Sequence, residues 1–340
     1  PYMIVKYIDK IITLGLPTPA NYLFLLMAGF YFLLLTLGVD RRVAIMGAIG
    51  FAFSSYFLIF IGTGHNSKAH AIGYMAPVIA GIIMTYRGRI LLGASITGLA
   101  LALELYANHL QITYYLMMIT VLLGGVFLYE AIIGKKLKDF AKASALLIVV
   151  AGLAVASNIT NLWATQEYGE HSTRGPSELT ADKANLTTGL DRDYITDWSY
   201  GIGETFTFLI PDFKGGASEA IQTNNKDVLK SVDSNYRQYV GSFGSYFGDQ
   251  PFTGGPLYIG AILVMLFVVG LLIIQGPLKW WILISTTLSI FLGWGKYFMS
   301  FTNFFLDNVP GYDKFRAVTT TLVIAEFTIP LMAVLVIDKL

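Results

Sequence analysis

The sequence predicts an all-α polytopic membrane protein with about nine transmembrane helices and one large extracytoplasmic loop domain. Three observations carry this. Hydrophobic residues make up 55% of the chain and charged residues only 13%, with a mean hydropathy of +0.61, whereas a soluble domain averages about a quarter charged. The apolar residues fall into continuous runs near the roughly 20 residues a bilayer core requires, not the alternating ten-residue segments of a membrane barrel. One stretch of about ninety residues, Asn161 to Thr253, is instead polar and Gly-rich and holds thirteen of the twenty-two carboxylates. The expected organisation is therefore membrane helices over 1–160 (about six spans), an extracytoplasmic loop domain over 161–253, and membrane helices over 254–340 (about three spans).

The nine runs are Tyr22 to Gly38, Val43 to Ile61, Ala71 to Tyr86, Ile90 to Ala107, Ile112 to Ile133, Ala143 to Ile159, Pro256 to Ile274, Trp281 to Phe298 and Val318 to Ile337. The third contains Pro77, which removes a backbone donor and predicts a kinked span whose freed carbonyl neighbouring helices satisfy. Charge in the connections sets the orientation. Alternate connections carry Arg41 and Arg42, Arg87 and Arg89, the cluster Lys135, Lys136, Lys138 and Lys142, then Lys279, then Lys339. By the positive-inside rule these face the cytoplasm, so the chain belongs to the inner membrane with its polar loop outside.

Cysteine is absent, which excludes disulfides, thiolate metal sites and cysteine nucleophiles. The net charge of +1 averages a basic side and an acidic side and implies no nucleic-acid partner. The chain opens PYMIVKYIDK without a basic n-region or a cleavable apolar core, so no signal peptide is visible, and both ends read as cuts through a longer protein.

The polar connections on the outer side carry the candidate chemistry. GTGHNSKAH places His65, Lys68 and His70 within a few residues; His-x4-His offers metal ligands, His65 and Lys68 offer phosphate contacts, and a plain headgroup-facing turn is the alternative. ELYANHLQITYY puts Glu104 near the outer end of a span with Asn108 and His109 one turn on. An intramembrane carboxylate is costly and usually faces a cavity or a partner, so Glu104 is a candidate catalytic group, or else an interhelical packing contact.

In GLDRDYITDW, Asp191 and Asp193 alternate with Arg192 and Tyr194, and Trp198 follows. In an extended segment both carboxylates share one face, where they would address a divalent ion or a sugar, with Tyr194 and Trp198 stacking on the sugar's apolar face; a solvated acidic turn is the alternative. Arg316, in PGYDKFRAV, is the best anion donor on this side, because its planar fork matches phosphate, with an ion pair to Asp313 as the competing use. No dinucleotide or Walker fingerprint is present.

The segments GHNSKAHAIGYMAPVIAGI, ELYANHLQITYY, ELTADKANLTTGLDRDYITDWSYGIGETFTFLIPDFKGG, YFGDQPFTGGPLYIG and PGYDKFRAV resemble the YfhO-like multi-spanning membrane proteins, in the form found in Bacteroidetes. The resemblance covers nearly the whole chain. It implies a glycosyltransferase-like fold of the GT-C type in the cell envelope, an extracytoplasmic active site, and sugar transfer from a polyprenyl-phosphate carrier. Proteins of that type keep an acidic residue in the first outer loop. This chain offers only Asp9 there, in a context that does not match, so no catalytic base carries over.

The sequence therefore leads to a membrane glycosyltransferase-like protein. Asp191, Asp193 and Glu104 are the catalytic candidates; His65, Lys68, His109 and Arg316 would bind the lipid-linked phosphate, and Tyr194 and Trp198 the sugar. A divalent cation is an open possibility, and no metal ligand is assigned. The partners expected are membrane lipid, the polyprenyl-phosphate sugar donor and further membrane subunits. A transporter would use similar buried polar residues but shows repeats more often, and none is detectable here. A non-catalytic subunit of a larger membrane assembly is the other alternative.

Overall fold

A computed structural model describes residues 2–175, 182–224 and 226–340. Pro1, at the head of the first segment, and residues 178–181, which open the motif ELTADK, lie outside the described residues. The protein is mostly helical with several long apolar helices, as an all-α polytopic membrane protein requires.

The chain begins with α1 (Tyr2–Ile12), followed by α2 (Ala20–Leu37), α3 (Arg41–Ala52), α4 (Ser55–Gly62), α5 (Asn66–Tyr86), α6 (Ile90–Tyr106), α7 (Leu110–Ile133), α8 (Leu137–Ser157) and α9 (Ile159–Glu170). The central segment holds α10 (Arg192–Thr196), a 3₁₀ helix at Ile202–Phe208, strand β1 (Gly215–Ala220), α11 (Ile221–Asn224), α12 (Lys226–Lys230), α13 (Arg237–Gly241) and strand β2 (Gly244–Tyr246). Then come α14 (Ala261–Ile273), α15 (Leu278–Gly293), α16 (Met299–Asn308) and α17 (Val323–Lys339). The antiparallel β1–β2 pair is the one departure from an all-α chain among the described residues.

Five helices are long and apolar enough to cross a membrane, and seven if each of two bent pairs is one span. The expected run Val43 to Ile61 is one such pair: α3 and α4 meet at 42°, because Ser54 adopts an extended conformation (ψ 151°) that interrupts the helix. The expected run Trp281 to Phe298 does not continue straight. After Gly293 the chain turns by 109° into residues 295–308, through Gly295 at φ +48°, a left-handed conformation that glycine adopts at little cost. Two further expected runs are the shorter apolar helices α6 and α14. Helix α5 runs through Pro77 as one 21-residue element.

Two helices, α5 and α17, are buried along most of their length, while α7 and α8 are covered by protein over little of theirs. Leu91, Val121, Ile148, Leu153 and Leu272 are apolar and more than 60% exposed. Apolar surface on this scale suits lipid as the solvent rather than water. Around the central pair, glycine permits close crossings: a Cβ on Gly81 would lie 2.8 Å from the Gly93 carbonyl oxygen and 2.5 Å from Thr97 Oγ1. Backbones can therefore approach where α5 meets α6. A second tie closes the far end, where the Asp40 amide donates to Asp338 Oδ1 at 2.7 Å and Asp40 Oδ1 caps α3 by accepting from the Arg42 amide.

The central segment shares the core of the bundle. Leu190, Ile195, Tyr200 and Phe208 belong to the same buried cluster as Phe30, Trp281 and Phe327. Its backbone is pinned to the helix ends: the Leu190 amide donates to Asp313 O at 3.0 Å, the Tyr200 amide to Gly293 O at 2.8 Å, and the Gly260 amide to Phe208 O at 3.1 Å. These anchors set the segment over one end of the bundle, where α4 ends and α5, α14 and α17 begin.

Candidate functional site

Between this segment and the helix ends lies a cavity of about 730 Å³. Its walls come from three places: the end of α4 and start of α5 with Phe60, His65 and Lys68; the central segment with Trp198, Glu204 and Tyr246; and residues 316–322 approaching α17.

Lys68 sits in the first turn of α5 and is 7% exposed. Its ammonium lies 3.6 Å from the Phe60 ring centroid and 5.6 Å from that of Tyr56, a cation–π setting. Among the described residues no carboxylate forms an ion pair with it. Burial, then the positive charge of Lys68, pushes the His65 imidazole below its ordinary value. The same causes, burial first and Lys68 next, hold His109 down at about 4. Both imidazoles are therefore neutral at pH 7, and Lys68 is the basic group of this wall. His109 caps α7, its Nδ1 accepting weakly from the Ile112 amide at 3.4 Å, and it does not line the cavity.

Arg316 lines the opposite wall. Its Nη1 donates to the Tyr194 hydroxyl at 2.7 Å, and the guanidinium lies 5.5 Å from the Tyr194 ring centroid and 5.8 Å from that of Trp198. The ion pair with Asp313 is not made. Asp313 is 3% exposed and accepts instead from Thr188 Oγ1 at 2.5 Å and Thr187 Oγ1 at 3.4 Å, with Lys314 Nζ at 4.0 Å. The next residue explains how Arg316 is aimed: Ala317 holds a left-handed conformation (φ +58°, ψ 71°), costly for a residue with a Cβ. Gln111 Nε2 fixes the Arg316 carbonyl at 2.8 Å, and the Thr319 amide donates to Trp198 O at 3.2 Å. Trp198 contacts Phe252 edge-on, its ring 5.1 Å away, and its Nε1 donates to Phe252 O at 3.3 Å. Trp198 is thereby a fixed aromatic plate in the cavity wall.

The carboxylates expected to be catalytic do not meet here. The segment from Arg192 to Thr196 is helical, not extended, so Asp191 precedes the helix and Asp193 lies in its first turn. Asp191 keeps an extended backbone (ψ 146°) ahead of the helix while Asp193 is helical, so the two do not share the one face of an extended segment. Asp193 is exposed, and neither carboxylate lines the cavity. Arg192 clamps the segment to α16 instead, donating to Asn303 Oδ1 at 2.8 Å and Asp307 Oδ1 at 2.5 Å. Glu104 is fully buried and accepts from Thr113 Oγ1, 2.9 Å from each carboxylate oxygen. It ties α6 to α7 and does not line the cavity.

The two histidines of the His-x4-His spacing also part company. His70 turns to α1, where its Nε2 lies 2.6 Å from Asp9 Oδ1, and Tyr74 donates to the same oxygen at 2.6 Å. Burial raises the Asp9 carboxyl, but the bonds from His70 and Tyr74 outweigh it and leave the group below its usual range. Among the described residues, no three His, Asp or Glu side chains converge as a metal site, so the acidic GLDRDYITDW segment does not build one.

Cavity residues that the sequence did not single out are Glu204, Tyr246, Lys214 and Glu219. Glu204 is 2% exposed. Its Oε2 accepts from the Gly201 amide at 2.7 Å and its Oε1 from the Tyr246 hydroxyl at 2.5 Å, with Gln250 Nε2 at 3.4 Å. Burial, then this bond to Glu204, pushes the Tyr246 hydroxyl well above its ordinary value, so it remains a donor. Glu204 thus staples the 3₁₀ helix to the β2 strand across about forty residues of sequence, a distance over which no local pattern operates. Its one visible signal is its place in GIGETF, after two glycines. Comparison with protein-family models, with curated proteins and with solved structures finds no match for this chain.

Proposed function

We propose that the protein is an integral membrane glycosyltransferase-like protein of the GT-C type, related to the YfhO-like proteins, that takes its sugar from a polyprenyl-phosphate donor. In this reading it lies in the cytoplasmic membrane with the cavity on the extracytoplasmic side. Five long helices, two bent pairs and two shorter apolar helices then make the nine spans.

The observation that carries the reading is the cavity itself, whose lining combines two basic side chains without carboxylate partners among the described residues, Lys68 and Arg316, with an aromatic plate, Trp198. A lipid-linked donor calls for this combination: a cation at headgroup level for the phosphate and a wet aromatic surface for the sugar. In transfer, the bond from the anomeric carbon to the phosphate oxygen breaks and the phosphate leaves with the electron pair. Arg316 and Lys68 offset the charge that develops there. The acceptor hydroxyl oxygen bonds to the anomeric carbon and gives its proton to a carboxylate. Glu219, at the cavity edge and exposed, is the carboxylate we assign to this step, because both oxygens of Glu204 are already engaged.

The saturation of Glu204 also favours a second reading, a membrane subunit that holds lipid-linked phosphate without transferring its sugar. The test uses the full-length protein in liposomes with a labelled polyprenyl-phosphate sugar and a cell-envelope extract that supplies acceptor hydroxyls. Binding with release of the sugar from its lipid, lost in Glu219→Gln, supports the enzyme. Binding without release supports the subunit, and no binding rejects both. Orientation is tested separately in this cysteine-free chain: Ser218→Cys in intact cells should react with an impermeant thiol reagent, and Gly134→Cys should not. Labelling at 134 alone would reverse the topology.

A further inference from the structure

The 3₁₀ helix and the turn after it, residues 202–213, have two unlike sides. Glu204 and Thr207 face inward, 2% and 3% exposed, and line the cavity. Ile202, Phe206, Leu209, Ile210 and Phe213 face outward and are exposed, and the rings of Phe206 and Phe213 lie 5.3 Å apart as one apolar surface. Five large apolar side chains left open on twelve residues would be an aggregation liability in water.

The anchors of this segment say what covers it. The Tyr200 amide donates to Gly293 O, at the end of α15, and Trp294 Nε1 donates to Thr205 Oγ1 at 2.8 Å. The Phe208 carbonyl then accepts from the Gly260 amide, immediately before α14. The segment thus bridges the ends of two apolar helices at one level of the bundle. Helix α14 is AILVMLFVVGLLI, apolar or glycine throughout, and Ile262, Met265, Val268 and Leu272 are exposed along its outer side. At 1.5 Å per residue its thirteen residues cover about 20 Å, against a hydrocarbon core of about 30 Å. A helix that short leaves apolar thickness uncovered at its end, and this segment supplies apolar surface at that place.

We propose that residues Ile202–Phe213 form an interfacial element, its outer face seated in the lipid of the membrane surface and its inner face walling the cavity. The partner of this surface is the bilayer itself. The consequence is that a single layer of chain separates the cavity from lipid, held by Glu204 on the inside and by apolar burial on the outside. This inference does not depend on sugar transfer.

The absence of native cysteine allows a direct test. Phe206→Cys, Ile210→Cys and Phe213→Cys, each carrying a nitroxide in the full chain in liposomes, are measured by power saturation with oxygen, which concentrates in lipid, and with a water-soluble nickel chelate. All three should be relaxed at least twofold more by oxygen than by nickel, and a label at the exposed Asp212 should show the reverse. Greater relaxation by nickel at the three sites would place the face in water and overturn the proposal. Strongly immobilised labels shielded from both reagents would overturn it in favour of a protein partner or a second copy. Phe206→Trp, quenched by lipids brominated near the headgroup, gives an independent reading if a labelled variant folds poorly; an indole at this position that escapes quenching would count against the lipid contact.

Discussion

Arg316 Nη1 donates a 2.7 Å hydrogen bond to the hydroxyl of Tyr194, and that bond replaces the ion pair that nearby Asp313 could have offered. A guanidinium held by a neutral phenol keeps its full charge available to an anion. Arg316 is exposed, so Arg316→Ala should weaken binding of a polyprenyl-phosphate sugar by about 1.5–3 kcal/mol, the range for a hydrogen bond to a charged group. Arg316→Lys should restore only part, since the planar fork is lost. Tyr194→Phe, which frees the arginine without removing charge, should cost less than either. Equilibrium binding in nanodiscs measures all three, and equal affinity of wild type and the Ala variant would remove Arg316 from the site.

Asp193 gives the opposite expectation. It is exposed in the first turn of a five-residue helix and outside the cavity, so Asp193→Asn should change stability by no more than about 0.5 kcal/mol. Sugar transfer should also stay at the wild-type rate, with and without chelator. A large loss of transfer in a folded Asn variant would return this carboxylate to the active site.

Glu326 lies in α17 at 1% exposure, and neither carboxylate oxygen has a hydrogen-bond partner among the described residues. An unsatisfied buried polar group costs about 1–3 kcal/mol, and apolar replacements of similar volume are often stabilising. Glu326→Met should raise thermal stability by an amount in that range, read as a shift in the melting temperature in detergent. A lowered melting temperature would mean that water or a ligand satisfies the carboxyl, whose neighbour Leu322, one turn before it, lines the cavity.

His109 should make the protein acid-sensitive. Its folded value of about 4 lies below the unfolded value of 6.5, so between these the unfolded chain binds a proton that the folded chain refuses. The stabilisation is complete above pH 6.5 and falls as pH drops toward 4, by up to about 3 kcal/mol. His109→Gln cannot titrate and should flatten this part of the curve. Melting temperatures at pH 7 and pH 4.5 for both proteins check it; parallel losses in the two would assign the acid sensitivity elsewhere.

Apolar length in the sequence locates the helices. Each of the nine apolar runs appears as a helix or a bent pair, because a membrane leaves the backbone no partner but itself and apolar length alone reports the element. The sequence also pointed to His65, Lys68, Trp198 and Arg316, since cations and aromatics stand out in polar connections between such runs. Local reasoning failed where partners are distant in sequence. Asp191 and Asp193 share a face only if their segment is extended, and the helix that starts at Arg192 ends that alternation. His70 was drawn from His65 by Asp9, sixty-one residues earlier. Glu104 was claimed by Thr113 on the next helix, and Glu204 took its place in the cavity by bonding Tyr246 across forty-two residues. Apolar burial is averaged over a whole run and survives error at any one residue, whereas a site depends on a few polar contacts between distant residues, which form only once the chain has closed.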